Sequence, residues 1–476
     1  MYQVRALNSL FIGTIVVGIC VFQDADTASA QTDASQTEAS QTDASQTEAS
    51  QPESSQTEAS NVQESSPEQA FVREAVTLFK ANRIAECRTK LIQSRELYPA
   101  FPPADTFLAI LFLSVGKTAP AMASLDQAII NTPEDPEAYV LLADLALKDG
   151  QRTVADLGYS KAETLLPGIT EFEKRYRALQ IRTRAGMSSL AEMRGQFTKA
   201  EKLLKDWNAI SPESPVVYGS LGRIFFRQKK YDEARDAFLT LSELETNSPP
   251  VEIVMGRLFG ETGMKEESKL EMEKAAEMYP EDTRVRLAIV NWAILHGEMG
   301  ALKANLDAAE ALKPNSVEVG VMTARLRHLE GDLGAAEDAI NAVVLKNPNS
   351  FPATNELARI LANSDDEDKR RLALQYARRN YASLGKSKTQ AGVDALITYA
   401  WALFKNKRGV DAEVILRSVP SGSEISAQDT YYSGCIYLER GQKAAAFSAL
   451  NAALANESLF PERGACRDLV VEMTDK

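Results

Sequence analysis

Histidine is nearly absent from this chain: 476 residues contain two, His296 and His328, beside four cysteines and three tryptophans. Such scarcity leaves little from which to build a metal centre or an imidazole-based catalytic site. The two histidines stand 32 residues apart, with no organised carboxylate or nucleophile beside either, so both read as structural or surface residues. There is no P-loop, no HExxH, no CxxC and no Gly-x-Gly-x-x-Gly after a strand. Positive charge is also short. Fifty-three Lys and Arg face 66 Asp and Glu, for a net charge of −13, so a basic face that could displace counterions from nucleic acid is missing. Composition thus argues against a general nucleic-acid binder and against an enzyme, and it calls for no cofactor and no metal.

The acidity is concentrated. Residues 31–67 carry Asp33, Glu38, Asp43, Glu48, Glu53, Glu58 and Glu64 with no Lys or Arg. Before them lies a segment with the features of an export signal. Arg5 supplies positive charge, Leu10 to Phe22 is an apolar run too short for a comfortable transmembrane helix, and Ala28-Ser29-Ala30 offers the small residues a signal peptidase requires. Cleavage after Ala30 is the expectation, with lipidation at Cys20 or an uncleaved anchor as alternatives; membrane association would follow only from these. The chain then repeats QTDAS, QTEAS and close variants from Gln31 to Ser60, without an aromatic or large aliphatic residue. Nothing there offsets the entropy lost on ordering, so residues 31–67 are expected to be a disordered acidic tail.

Beyond the tail the sequence is self-similar at a spacing of 34. Pro99, Pro133 and Pro167 are that far apart, and so are Pro280, Pro314 and Pro348. With each unit counted from 31 residues before its proline, position 8 is small (Ala75, Ala109, Ala143, Gly222, Gly256, Ala324, Ala358), and so is position 20 (Ala121, Ala155, Ala234, Ser268, Ala336). Position 24 is large and apolar: Leu91, Leu125, Tyr159, Phe238, Met272, Leu306, Ile340. Small residues let two helix axes approach, and the position 24 side chain is expected to fill the space between neighbouring pairs. Glycines at position 15 (Gly116, Gly150, Gly263, Gly297, Gly331) suit a chain reversal, and the closing proline stops the second helix.

These residues resemble the tetratricopeptide repeat (TPR) family. The resemblance implies an all-α superhelical solenoid of about eleven helix-turn-helix repeats over residues 68–458, with a capping helix over 459–476. Two repeats depart from the norm. Between Pro167 and Pro212 lie eleven extra residues, about three helical turns, so Glu171 to Arg194 is expected as a lengthened first helix that Gly186 either breaks or does not. In the ninth, Asp365-Asp366-Glu367-Asp368 suits a helix amino end. A calcium loop would need wider, alternating ligands. Cys87, at position 20, is expected to be an inert core residue, while Cys435 and Cys466 fall on successive first helices, where a bridge between them stays open.

The resemblance also implies that position 9 of the first helix faces a concave groove. In five successive units this position reads Arg223, Arg257, Asn291, Arg325, Arg359, and Arg284 and His328 fall on groove positions nearby. Such a ladder suits carboxylates or peptide backbone, whereas the alternative is that each Arg pairs with a local Glu. The carboxylate-clamp pattern of TPR co-chaperones is not reproduced, because position 5 reads Gly219, Ile253, Leu287, Val321 and Asn355. The functional expectation is a non-catalytic, exported bacterial scaffold, periplasmic or secreted, binding a protein or acidic peptide partner in this groove; the alternative is a structural component of an envelope secretion or polymer-export complex. The chain's own tail, acidic at every fifth residue, is one candidate occupant.

Overall fold

The computed structural model describes residues 67–474. The expected signal and most of the acidic tail, Cys20 included, lie outside the described residues. Within them every regular element is helical. The chain divides into two units, meeting at Thr246 and Asn247.

Among the described residues, unit 1 contains five helix pairs: α1 (Pro67–Lys80) with α2 (Ile84–Leu97), α3 (Ala104–Ser114) with α4 (Thr118–Asn131), α5 (Pro136–Lys148) with α6 (Arg152–Leu165), α7 (Glu173–Met193) with α8 (Phe197–Ile210), and α9 (Pro215–Arg227) with α10 (Tyr231–Leu244). Unit 2 contains six: α11 (Val251–Glu261) with α12 (Lys265–Met278), α13 (Thr283–His296) with α14 (Met299–Leu312), α15 (Val317–Leu329) with α16 (Leu333–Lys346), α17 (Phe351–Ala362) with α18 (Glu367–Leu384), α19 (Gln390–Lys405) with α20 (Gly409–Leu416), and α21 (Ala427–Glu439) with α22 (Lys443–Ala455). A last helix, α23 (Arg463–Thr474), packs on α22. Residues 456–462, partly expected within a capping helix, are not helical.

The positional code has a direct physical content. Ala75, Ala109, Ala143, Ala121, Ala155 and Ala234 are fully buried where the two helices of a pair cross. Where position 8 is glycine, the position 24 side chain of the same repeat covers it. A Cβ on Gly222 would lie 2.5 Å from the Phe238 ring, and one on Gly256 would lie 2.9 Å from the Met272 methyl. In these repeats position 24 therefore seals its own pair, which corrects the expectation that it fills only the space between neighbours. Tyr159 does serve that second role: a Cβ on Gly186, in the following repeat, would sit 2.1 Å from the tyrosine ring. Gly186 thus leaves α7 unbroken for 21 residues and is needed for close approach.

The turns follow equally local rules. Gly116, Gly150, Gly263, Gly297 and Gly331 all adopt left-handed backbone, with φ from 71° to 85°, at the end of a first helix. Asp366 caps α18, its carboxylate accepting from the backbone N–H groups of Asp368 and Lys369, so the acidic run is a helix start. Second helices with a closing proline end just before it, except that α6 runs on into a 3-10 turn, Leu166–Ile169, which carries Pro167 into the lengthened repeat. Trp207, Trp292 and Trp401 are buried. Cys87, Cys435 and Cys466 are free thiols in the core, the last two in the same apolar cluster. Burial pushes Cys87 up to about 11 and Cys435 up to about 12.

The glycine–ring contact can be tested at one position. Gly222→Ala is expected to lower stability by about 1–3 kcal/mol, because the new methyl must displace the Phe238 ring from a packed core. A shift of the denaturant midpoint to lower concentration checks this; an unchanged midpoint would show that the ring moves without cost.

Candidate functional site

First helices of neighbouring repeats touch along each stack: α5 with α7 in unit 1, and α11 with α13, α15 with α17, α17 with α19 and α19 with α21 in unit 2. Side chains at equivalent positions of these touching helices therefore come side by side. In unit 1 the row is an ion-pair network. Arg175 on α7 bridges Asp135 at 2.6 Å and Glu137 at 2.8 Å, with all three side chains largely buried. Seven residues further along, Arg182 pairs with Asp144, which also accepts a hydrogen bond from the Tyr159 hydroxyl. Burial raises the Asp144 carboxyl above its ordinary value despite Arg182 and that bond. Arg194 then meets Asp156 at 2.8 Å. The long α7 carries Arg175 and Arg182, and Arg194 follows its last residue, so this helix and its end supply the cations for the preceding repeat's carboxylates.

Arg223, the unit 1 member of the predicted ladder, lies on α9. It donates to the Gly219 carbonyl at 3.0 Å and to the Ser220 hydroxyl at 3.1 Å, with Glu192 at 3.6 Å.

The remaining ladder residues belong to unit 2. Arg257 on α11 is half-buried, and Asn291 on α13 is exposed and donates back to the Leu287 carbonyl at 2.9 Å. Arg284 lies elsewhere, at the amino end of α13, where its exposed guanidinium pairs with the helix-capping Asp282 at 2.8 Å. Arg325, Arg359 and His328, in contrast, are gathered into one cluster. Arg325 donates to Glu356 at 2.7 Å. Arg359, 7% exposed, pairs with Asp429 at 2.7 Å, donates to Thr398 at 3.0 Å and lies over the Tyr432 ring. Tyr432 stacks in turn on Trp401, with ring centroids 3.9 Å apart.

The electrostatics of this cluster follow from its burial. For Glu356, burial favours the neutral acid, but Arg325 and Arg359 outweigh it and hold the carboxyl below its ordinary value. Burial raises Asp394, against the pull of Arg359. His328 is pushed below the usual imidazole value by burial, against the opposing attraction of Glu462 and Glu356. His296, tilted against the Trp292 ring, is lowered by burial as well. The carboxylates Glu356, Asp429 and Glu462 were not singled out from the sequence. Glu356 could have been: it lies three residues before Arg359, on the same helix. Asp429 and Glu462 are 70 and 103 residues from Arg359, beyond the reach of local pattern.

Among the described residues no group of His, Cys, Asp and Glu could hold a metal ion, and no helix is long and apolar enough to cross a membrane.

Residues 192–258 match the tetratricopeptide repeat family. The chain is similar to human tetratricopeptide repeat protein 7B, with 25% identity over 157 residues, and to a TPR repeat-containing protein of Pseudomonas aeruginosa, with 23% identity over 211 residues. These matches cover 33% and 43% of this chain but span only 17% and 34% of the two relatives. Among solved structures, yeast Tom70 aligns over 86% of this chain and 95% of its own at 15% identity and a TM-score of 0.36. A tetratricopeptide repeat protein from Parabacteroides merdae aligns over 62% of this chain and 99% of its own, at 17% identity and a TM-score of 0.31.

The depressed histidines fix the sign of a pH effect. Below the unfolded-state value of about 6.5 the unfolded chain takes up protons that the folded chain refuses, so stability falls as pH drops from there toward the folded values. Glu356 begins to contribute only lower, below about 4.3, where the unfolded carboxylate protonates first. Denaturation midpoints of the wild type should therefore decline between about pH 6.5 and 5, and His328→Gln with His296→Gln should flatten that decline. A double variant that retains the full slope would place its origin elsewhere.

Proposed function

We propose that this chain, built of tetratricopeptide repeats, is a non-catalytic scaffold that holds a protein or peptide partner along the row of first helices. The repeat family serves protein–protein interaction, and its fold is typically a scaffold and not a catalyst. The observation that carries the reading is the register of position 9 in unit 2, where Arg257, Asn291, Arg325 and Arg359 recur on successive first helices, with α11 touching α13 and α15 touching α17. Arg325 and Arg359 are committed to Glu356 and Asp429, so they set the floor of the groove. Asn291 is exposed and Arg257, like Arg325, is half-buried; Arg257 and Asn291, on touching first helices, are assigned the ligand-contacting role. A guanidinium and a primary amide on adjacent first helices suit a carboxylate and the backbone of an extended peptide. A partner with acidic side chains fits this pair better than a basic one.

The test uses the whole protein and a labelled peptide of residues 31–60, the acidic repeat of the chain itself. Arg257→Ala combined with Asn291→Ala is expected to weaken peptide binding at least about threefold, and to reduce its dependence on salt because exposed charge contacts are screened. Equal affinity of parent and variant at low and moderate salt would reject the assignment.

The scaffold is further proposed to be exported by a cleaved signal and to act in the periplasm or outside a bacterial cell. Support comes from the charged, apolar and small-residue segments in order up to Ala30, followed at once by an acidic spacer. Amino-terminal sequencing of the native protein should begin at Gln31. A start at a lipid-bearing Cys20 would place it on a membrane surface instead.

A further inference from the structure

Between α22 and α23 the chain leaves the helical stack and returns to first helices far earlier in unit 2. Its backbone makes the first contact. The Leu459 N–H donates to the Ile294 carbonyl at 2.7 Å, and that carbonyl belongs to the last turn of α13, where no intrahelical donor remains. Gly297, in left-handed backbone at the end of the same helix, lies under the Glu457 carbonyl. A Cβ there would stand 3.0 Å from that oxygen, so glycine permits the approach. Glu457 also pairs with Lys265 of α12, 192 residues away in sequence, and both side chains are more than half exposed. The Leu459 side chain joins the apolar cluster that includes Ile253, Ile289 and Trp292.

The second half of the segment is held more deeply. Phe460 is buried against the Tyr431 ring, with centroids 6.1 Å apart. The Glu462 carboxylate accepts from Asn363 at 2.8 Å, from Gln428 at 3.1 Å and from the Tyr432 hydroxyl at 3.1 Å. These donors come from the end of α17 and from α21. Residues 457–460 thus cross first helices of several repeats without helical structure, and 461–462 turn into α23, so the segment presents one backbone bond, an apolar pair and a carboxylate. An extended peptide ligand would use the same set of contacts.

We infer that the first-helix face of unit 2 is a peptide-binding site occupied in cis by residues 457–462, and that its external ligands are extended segments carrying two adjacent large apolar residues with an acid two positions beyond them. The inference rests on the scaffold reading and adds a ligand class and a control. The two halves of the segment are unequally fastened. Glu457 to Leu459 are held by a solvent-exposed ion pair, one backbone bond to α13, a bond from Arg463 to the carbonyl of the buried Ser458 and a partly buried leucine, whereas Phe460 is buried in the core and the half-buried Glu462 is held by three donors. An exposed ion pair contributes at most about 1 kcal/mol, so the outer half is the end from which a competing peptide would enter.

The experiment measures binding of a labelled peptide of residues 454–465 to the full chain. The wild type, whose site is filled, should bind it weakly. Glu457→Lys in the chain and, separately, Leu459→Ser should each raise its affinity, the first at least about threefold, in keeping with an exposed ion pair, and the second at least tenfold. Peptides carrying Ser in place of Leu459, or Gln in place of Glu462, should lose that gain. Glu457→Lys changes only an exposed side chain of the segment and leaves Lys265 for the peptide, so it keeps the test valid if Leu459→Ser does not fold. Carbodiimide should cross-link Lys265 to Glu457 within one chain and abolish the gain of Leu459→Ser. Two results would overturn the inference. One is unchanged peptide affinity in folded variants, which makes the segment a structural closure only. The other is a Lys265–Glu457 cross-link between chains, which makes it an exchange between copies. Loss of binding by the 31–60 peptide in the Arg257 and Asn291 variant would stand under either result, so failure of the latch and failure of the scaffold reading are distinguishable.

Discussion

Everything in this molecule depends on how closely two helices of a repeat can approach. The approach is set by the side chain at the crossing point, which is alanine with no exposed surface in most repeats, glycine under an aromatic ring, a methionine or a leucine in others, and the fully buried Val290 in one. One methyl more and the axes must separate, because interiors packed to crystal density have no slack. The consequence propagates. Each pair presents a fixed face to the next, the first helices come into register, and side chains 34 residues apart in sequence become neighbours. Ser268 shows how little polar material this requires. Its hydroxyl donates to the Gly256 carbonyl at 2.6 Å across its own repeat and accepts from the Trp292 indole at 2.8 Å in the next, tying two repeats through one buried atom.

Such regularity explains why the architecture was legible from sequence and the chemistry of the inner face was not. Position 8, position 20, the glycine turns and the closing prolines are local signals, each readable within one unit and each confirmed by its repetition. The lengthened repeat was equally visible, since eleven extra residues between prolines had to go into a helix whose face still met the stack, and α7 is that helix. The arginines of the ladder were also visible, but their partners were not. Arg325 finds Glu356 one repeat on, Arg175 finds Asp135 a repeat back, and Arg359 finds Asp429 two repeats away. A row of like charges reads in sequence as an open cationic surface. Its neutralisation is a property of the three-dimensional stack.

The buried pairs bear on register more than on raw stability. Removing two charges from water costs much of what their attraction returns, so a pair such as Arg359 and Asp429 contributes little beyond a well-packed apolar substitute. Leaving one of them alone is another matter, at about 3–5 kcal/mol for an uncompensated buried charge. A repeat stack is otherwise prone to slippage, since every unit offers nearly the same apolar surface to every other. Charged partners that match only in one alignment penalise the wrong ones. The arginines of α7 and of the ladder place such a penalty at repeats 3 to 4 and 8 to 11, and the irregular fourth and ninth repeats lie in these stretches.

The extended segment at Glu457 to Glu462 follows from the same constraint. Stacked repeats leave the last-turn carbonyls of their first helices facing outward, and a helix end without a donor must find one. For α13 that donor is the Leu459 N–H, delivered over a glycine whose missing Cβ makes room for it. Backbone contacts of this kind carry no sequence information, so any extended chain could make them. Selectivity has to come from what flanks them: the apolar site that takes Leu459, the aromatic wall beside Phe460 and the three donors around Glu462. Those three donors are neutral amides and a hydroxyl, while the neighbouring arginines are already committed to Glu356 and Asp429. A carboxylate arriving there is therefore recognised by hydrogen-bond geometry in a site whose formal charge is already balanced. This is a setting in which shape and donor placement discriminate between ligands more sharply than charge alone.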